Sequence, residues 1–232
     1  MPVSALLHSG GLDSAVLLAE EAARADVQPI YVSVGLAWEA AEREMIAWFM
    51  ANGAIAARPL VSLAVDMRDV YAPSHWAVLG RPPAYHTPDE DVYLPGRNIV
   101  LIAKAAVYCA ASGIGRIVLG TLARNPFPDA TPEFRAALAR ALSLGLGHPL
   151  TIDAPYAEID KADVVRRGAA LGVPFELTLS CMNPVVEHGD GNQHRVQQHC
   201  GACSKCRERH DAFIEARVAD PTTYRDTVHV RM

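Results

Sequence analysis

Several things are scarce in this sequence, and each shortage narrows the reading. No apolar run is long enough to span a bilayer; the longest, residues 99–109, is interrupted by Lys104. No basic and then apolar leader precedes the first turn. A cytoplasmic protein without a membrane role is expected. Cysteine is nearly missing from the first three quarters: of five, only Cys109 lies outside the C-terminal stretch. That distribution speaks for metal binding or redox chemistry rather than a disulfide framework. Positive charge is not in excess either, with 21 Lys and Arg against 26 Asp and Glu, a net charge of −5. This argues against a general nucleic-acid footprint. There is no internal repeat and no low-complexity tract.

What is present is the balance of a soluble globular protein, 50% hydrophobic and 20% charged over 232 residues. The stretch around which the chain is organised comes first. Residues 3–18 read VSALLHSGGLDSAVLL. A short apolar run ends in Ser9-Gly10-Gly11-Leu12-Asp13-Ser14, and an apolar stretch of helical character follows. Strand, glycine-rich turn and helix place two hydroxyls and free helix N–H groups at one point, where an anion is the natural guest. The candidate nucleotide-binding residues are therefore His8, Ser9, Gly10, Gly11, Leu12, Asp13, Ser14, Ala15, Val16, Leu17 and Leu18. No Gly-Lys-Ser/Thr follows, so this is not the Walker pattern.

Strand and helix signals alternate along the chain. Strands are expected over 3–8, 29–34, 58–65, 116–120, 150–154 and 175–179. Helices are expected over 14–24, 39–50, 99–112, 132–144, 161–171 and 204–218, with Asn98 and Asp160 as caps and Gly113 and Gly172 as stops. Residues 66–96 are proline-rich and aperiodic and read as a long loop, a lid or a subunit contact. The pattern implies an α/β fold, a doubly wound parallel sheet of the Rossmann-like kind. Ligands then bind at the carboxyl ends of the strands, which places residues 9–14, 34–38 and 121–129 at the site. The apolar helix and residues 66–96 are the candidate surfaces of a homodimer.

Cys181, Cys200, Cys203 and Cys206 form C-x18-C-x2-C-x2-C. Four thiolates so spaced favour tetrahedral zinc, and an iron–sulfur cluster would use the same ligands. His188, His194, His199 and His210 lie near enough in sequence to replace one cysteine. The polar segment 182–199 needs such a staple. The expected organisation is a nucleotide-binding α/β domain over 1–180 and a zinc-binding loop and helix over 181–232, packed on the same domain. Cys109 reads as a small buried hydrophobe.

The Ser-Gly-Gly-Leu-Asp-Ser turn resembles the SGGxDS loop of the PP-loop ATP pyrophosphatase superfamily, whose fold is of the adenine nucleotide alpha hydrolase type. Those enzymes cleave ATP to AMP and pyrophosphate while activating a substrate as its adenylate. Further pieces sharpen the likeness: Leu94-Pro95-Gly96-Arg97-Asn98, Pro128-Asp129, Pro132-Glu133-Phe134, Ala154-Pro155, Lys161-Ala162, Gly172 to Thr178, Ser180-Cys181 and Cys200-Gly201-x-Cys203-x-x-Cys206-Arg207-x-Arg209. In order and spacing these resemble the 7-cyano-7-deazaguanine synthase family of queuosine-precursor biosynthesis.

The resemblance implies a carbon–nitrogen ligase that converts 7-carboxy-7-deazaguanine and ammonia to the nitrile, at the expense of ATP and through an amide. It implies Mg²⁺ beside Asp13, phosphate contacts from Ser9 and Ser14, and cationic roles for Arg97 and Lys161. Pro128, Asp129 and Glu133 are the implied base-recognition residues, and the zinc is structural. Two stretches depart from the family. Its Tyr-Gly-Gln-Arg-His is here Val34-Gly35-Leu36-Ala37-Trp38, and its Asn-Ala-Glu-Asp stretch is here Thr121-Leu122-Ala123-Arg124-Asn125. Competing readings are a PP-loop enzyme acting on another carboxylate or amide, a tRNA thiolase, and a non-catalytic nucleotide-binding module.

Overall fold

β1 (Ser4–Leu7) is the strand on which the sheet is built, and Ala5 and Leu6 are fully buried. The computed structural model describes residues 3–187 and 196–230. β1 pairs in parallel with β2 (Val27–Ser33) on one side and β4 (Arg116–Val118) on the other. β3 (Val61–Ala64) and β5 (Thr151–Asp153) flank these, giving a five-stranded parallel sheet in the order β3-β2-β1-β4-β5. Strands covered on both faces read as continuous apolar runs, which is how β1 reads in the sequence.

Helices cover both faces, as expected of a doubly wound sheet. One face carries α1 (Leu12–Ala22), α6 (Lys161–Ala170) and α7 (Ser204–Ala216), and Phe49 of α2 (Glu39–Ala51) joins the same core. The other face carries α4 (Arg97–Ala111) and α5 (Pro132–Leu146) around Ala105, Ala106 and Cys109. Burial pushes the Cys109 thiol up to about 12, so it stays a neutral core residue. Gly168 lets α6 press on α1: a Cβ there would lie 2.5 Å from Val16 Cγ2. After β1 the chain turns into a helix on one face, and after β4 into a helix on the other. The crevice between their carboxyl ends is the topological switch point, the place where such sheets bind ligands.

Three local expectations are corrected and one is refined. Residues 175–179 are not a strand; Phe175–Leu177 is a 3-10 turn that seats Phe175 against Phe213. Asn98 does not cap α4. The cap is Gly96 in the left-handed region (φ 78°), and Asn98 lies in the first turn, its side chain bonded to Asp129. Asp160 stands at the N-cap of α6 as expected, but it makes no side-chain capping bond and pairs with Arg124. Residues 66–96 are more than a loop. They hold α3 (Trp76–Leu79) and a 3-10 turn (Asp89–Val92), and Met67, Tyr71, Ala77, Val92 and Leu94 form a third apolar cluster with Val34, Leu36, Trp38 and Met182. This segment roofs the carboxyl edge of the sheet.

The C-terminal part holds a short antiparallel pair, β6 (Val185–Glu187) and β7 (Val196–Gln198). His188 and His194, named above as alternative ligands, lie outside the described residues. Arg209 is fully buried and locks α7 to its surroundings through Thr178, Thr222 and the Phe175 carbonyl, at 2.6–2.9 Å. Among the described residues no helix is long and apolar enough to cross a membrane.

Candidate functional site

The turn after β1 has the backbone its sequence requires. Gly10 sits at φ +76°, and a Cβ there would lie 2.8 Å from Ile46 Cγ1. Its carbonyl accepts the Leu179 N–H at 2.8 Å, which ties the turn to the start of the cysteine region. The Ser14 hydroxyl donates to the Gly11 carbonyl at 3.0 Å, so the His8 Nδ1–H donates to Ser14 Oγ at 3.1 Å. Burial pulls His8 down to about 4, which keeps it neutral near pH 7. No side chain caps the N-terminus of α1, and Gly11, Asp13 and Ser14 at that end line the crevice. The side chains of Leu12, Ala15, Val16, Leu17 and Leu18 are in the core, and they shape the site only by holding the helix.

The acid of the turn belongs to an ionic chain. Lys161 Nζ lies 3.1 Å from Asp13 Oδ2 and 2.7 Å from Glu208 Oε1, and Lys205 Nζ lies 2.5 Å from Glu208 Oε2. Burial alone would lower Lys161. Asp13 and Glu208 outweigh it and hold the ammonium above the usual lysine range. Burial would raise Glu208, and the two lysines hold it well below the usual carboxylate range. The second oxygen of Asp13 is buried without a hydrogen-bond partner, in a residue that lines the crevice. That is the chemistry a hard cation on a polyphosphate needs.

Two cavities meet here. One, of about 290 Å³, is lined by Ser9, Asp13, Ser14, Arg97 and Asp129 and by several aromatic rings. The other, of about 270 Å³, is lined by Asp13, Lys161, Lys205, Arg207 and Glu208. Arg97 begins α4, and its Nε is buried without a partner. Asp129 accepts the Asn98 backbone N–H at 3.3 Å and its Nδ2–H at 3.0 Å, while burial raises its carboxyl above the usual range. The structure thus gathers Ser9, Asp13, Ser14, Arg97, Lys161 and Asp129. It does not bring Pro128 or Glu133 there: both are exposed and line neither cavity, and Glu133 sits in the first turn of α5, where a carboxylate suits the helix dipole.

Sequence reasoning missed Lys205, Glu208 and Glu42. Lys205 and Glu208 are spaced i, i+3 on α7 and share a face, yet nothing local shows that this face meets Lys161. Glu42 is buried on α2 and accepts the Tyr31 hydroxyl at 2.8 Å. Burial pushes it up to about 7, against the pull of Arg97 and the Tyr31 bond.

The four cysteines form one buried group, with all four Sγ atoms within 4.8 Å of one another and none in a disulfide. Backbone N–H groups of Asn183 and Cys200 point at Cys181 Sγ (3.3 and 3.2 Å), and Ala202 N–H points at Cys200 Sγ (3.4 Å). Such donors offset thiolate charge, so the residues fit a metal ion. His199 accepts the Ser180 N–H through Nε2, His210 Nδ1 lies 3.6 Å from Asp220, and neither joins the four-sulfur group. The group is built into the roof. Cys203 bridges to Ala84, and Arg207 holds the Tyr85 and Thr87 carbonyls and Asp89 at 2.7–2.9 Å.

A parallel sheet with a glycine-rich turn at its switch point, and a four-cysteine element beside it, defines a doubly wound α/β protein of the Rossmann-like kind. The chain belongs to the QueC family: the model described as queuosine biosynthesis protein QueC matches residues 4–217. A relative from Methanoculleus marisnigri, named 7-cyano-7-deazaguanine synthase, is 30% identical over 97% of this chain and 99% of its own. Two others of that name, from Azoarcus sp. and Methanopyrus kandleri, are 37% and 39% identical. Each of these two matches covers 57% of this chain, and 57% and 58% of the relative's length. A solved structure described as a predicted subunit of tRNA methyltransferase from Methanocaldococcus jannaschii aligns over 98% of this chain and 94% of its own at 11% identity, with a TM-score of 0.45, too low to support a conclusion.

Glu42 yields a pH test. Its folded-state value of about 7 lies above the ordinary 4.5, so the folded protein binds the extra proton between these values. Stability contributed this way is present below about 4.5 and declines as pH rises through 7. Glu42→Gln is expected to flatten the pH dependence of the urea midpoint over that window and to raise stability at pH 8 by roughly 1–3 kcal/mol. An unchanged slope contradicts the assignment.

Proposed function

We propose that this protein is an ATP-dependent ligase that makes 7-cyano-7-deazaguanine from 7-carboxy-7-deazaguanine and ammonia. The observation that carries the reading is the open Ser9–Ser14 turn at the switch point, joined to Lys161 through Asp13 and faced by Arg97. The name of the relative that aligns along the full length supports it.

A carboxylate resists attack by ammonia because its oxygen leaves poorly. On this account the substrate carboxylate attacks the α-phosphorus of ATP, the Pα–O–Pβ bond breaks, and pyrophosphate departs against Ser9, Ser14 and the helix N–H groups. Ammonia then attacks the acyl carbon, AMP leaves with the former carboxylate oxygen, and the amide remains. The amide oxygen attacks a second ATP in the same way. Loss of AMP and of the two amide protons gives the nitrile. Asp13 would hold Mg²⁺, which would supply charge neutralisation on the phosphates. Lys161 and Arg97 stabilise the charge that develops on the phosphates. Asp129 accepts hydrogen bonds from the base.

The four cysteines hold zinc in a closed, structural site. Residues 181–232 act as an element stapled onto the domain formed by 1–180. The assembly proposed is a cytoplasmic homodimer that does not bind nucleic acid, with Ile99 and Val107, exposed on α4, at the contact.

Incubation with ATP, Mg²⁺, ammonia and 7-carboxy-7-deazaguanine is expected to give AMP, pyrophosphate and the nitrile. Asp13→Asn is expected to lower kcat about 100-fold or more. No AMP and no nitrile from wild type would sink the reading. Elemental analysis is expected to find one zinc per chain; iron in its place overturns the metal assignment.

A further inference from the structure

Aromatic residues make up only 6% of this chain, yet four of them line the cavity beside the phosphate turn. They come as two stacked pairs. Trp38 and Trp76 lie 5.8 Å apart between ring centroids with 9° between planes, and Tyr93 and Phe127 lie 5.0 Å apart at 29°. Trp38 is 4% exposed and forms the fixed backing of the first pair, while Trp76, Tyr93 and Phe127 are half-buried at the cavity wall.

The backbone holds Trp76 in place. His75 caps α3 by accepting the Ala77 N–H at its Nδ1, and the Ala37 N–H donates to the Ala77 carbonyl at 3.0 Å. Gly80 ends the helix at φ +69°, and a Cβ there would stand 3.2 Å from Ala37 Cβ. The roof segment is thus pinned to the loop after β2 just beyond Trp76. Flat, rigid rings already packed in place lose little freedom when another ring joins them. Polar groups for the edge of such a ring are in the same cavity: the buried Asp129 carboxylate and the unpartnered Arg97 Nε.

We propose that the Trp38–Trp76 and Tyr93–Phe127 pairs form a stacking slot for a planar conjugated heterocycle, with Trp76 setting which ring is accepted. The inference rests on the reading of the site as one for a nucleotide and a planar acid, and both the adenine of the nucleotide and the ring of the acid have this chemistry. The cavity lies beside the anion-accepting turn, so a ring in the slot has its charged substituent within reach of Ser9, Ser14 and Arg97.

The chain has three tryptophans, and Trp48 lies away from the cavity beside the cysteine cluster. In full-length protein carrying Trp48→Phe, emission therefore reports on Trp38 and Trp76. Titration with AMP, 7-carboxy-7-deazaguanine and inorganic pyrophosphate is expected to quench that emission with one or both ring compounds and not with pyrophosphate. Pyrophosphate binding is followed separately by calorimetry. Trp76→Ala is expected to weaken the ring compound about tenfold, with pyrophosphate affinity held within about twofold, and Trp76→Phe to restore most of the loss. The ring that quenches identifies whether acceptor or nucleotide occupies the slot. If neither ring quenches, or if Trp76→Ala leaves ring affinity within about twofold, the slot is overturned. If pyrophosphate also fails to bind, the nucleotide reading falls with it.

Discussion

The ionic chain from Asp13 through Lys161 to Glu208 and Lys205 is the contact on which the site depends. It joins three parts of the sequence that are otherwise independent: the turn after β1, the start of α6 and the first turn of α7. Burying one lysine or one glutamate alone would be costly, and each is held charged by its neighbours. The alternation leaves Asp13 one oxygen to spare at the junction of the two cavities.

α7 can take part because the cysteines place it. Cys203 and Cys206 bracket Lys205, and Glu208 follows one helical step later, so a metal on the four sulfurs fixes the register of both charges. The same element holds the roof, through Arg207 on the Tyr85 and Thr87 carbonyls and through the Cys203–Ala84 bridge. The roof in turn carries Trp76 and the Val92–Leu94 turn to the cavity wall. The four-cysteine group is thereby coupled, through the roof, to the pocket that lies over the phosphate turn.

Much of this was legible in the sequence, and what was not has a physical reason. The turn could be read because its demands are local: a left-handed glycine, two hydroxyls and a following helix. The sheet could be read from buried apolar runs, and the four cysteines from spacing. Phe175–Leu177 looked like a strand because a short apolar run serves either a strand or a core-facing turn. Asn98 looked like a cap because its type suits one, but Gly96 takes that place and frees the amide for Asp129. The roof resisted reading because its order comes from partners more than 100 residues away, as with Arg207 and Thr87. The pairing of Lys161 with Glu208 spans 47 residues and leaves no local mark.

A double-mutant cycle on Lys161 and Glu208 tests the central claim most directly. Global stability of the metal-loaded protein is measured for wild type, Lys161→Met, Glu208→Gln and the double variant. The account predicts single losses that are far from additive, with a favourable coupling of about 1–3 kcal/mol. Losses that add to within about 0.3 kcal/mol would contradict it, because turn, α6 and α7 would then be held together without the charge chain.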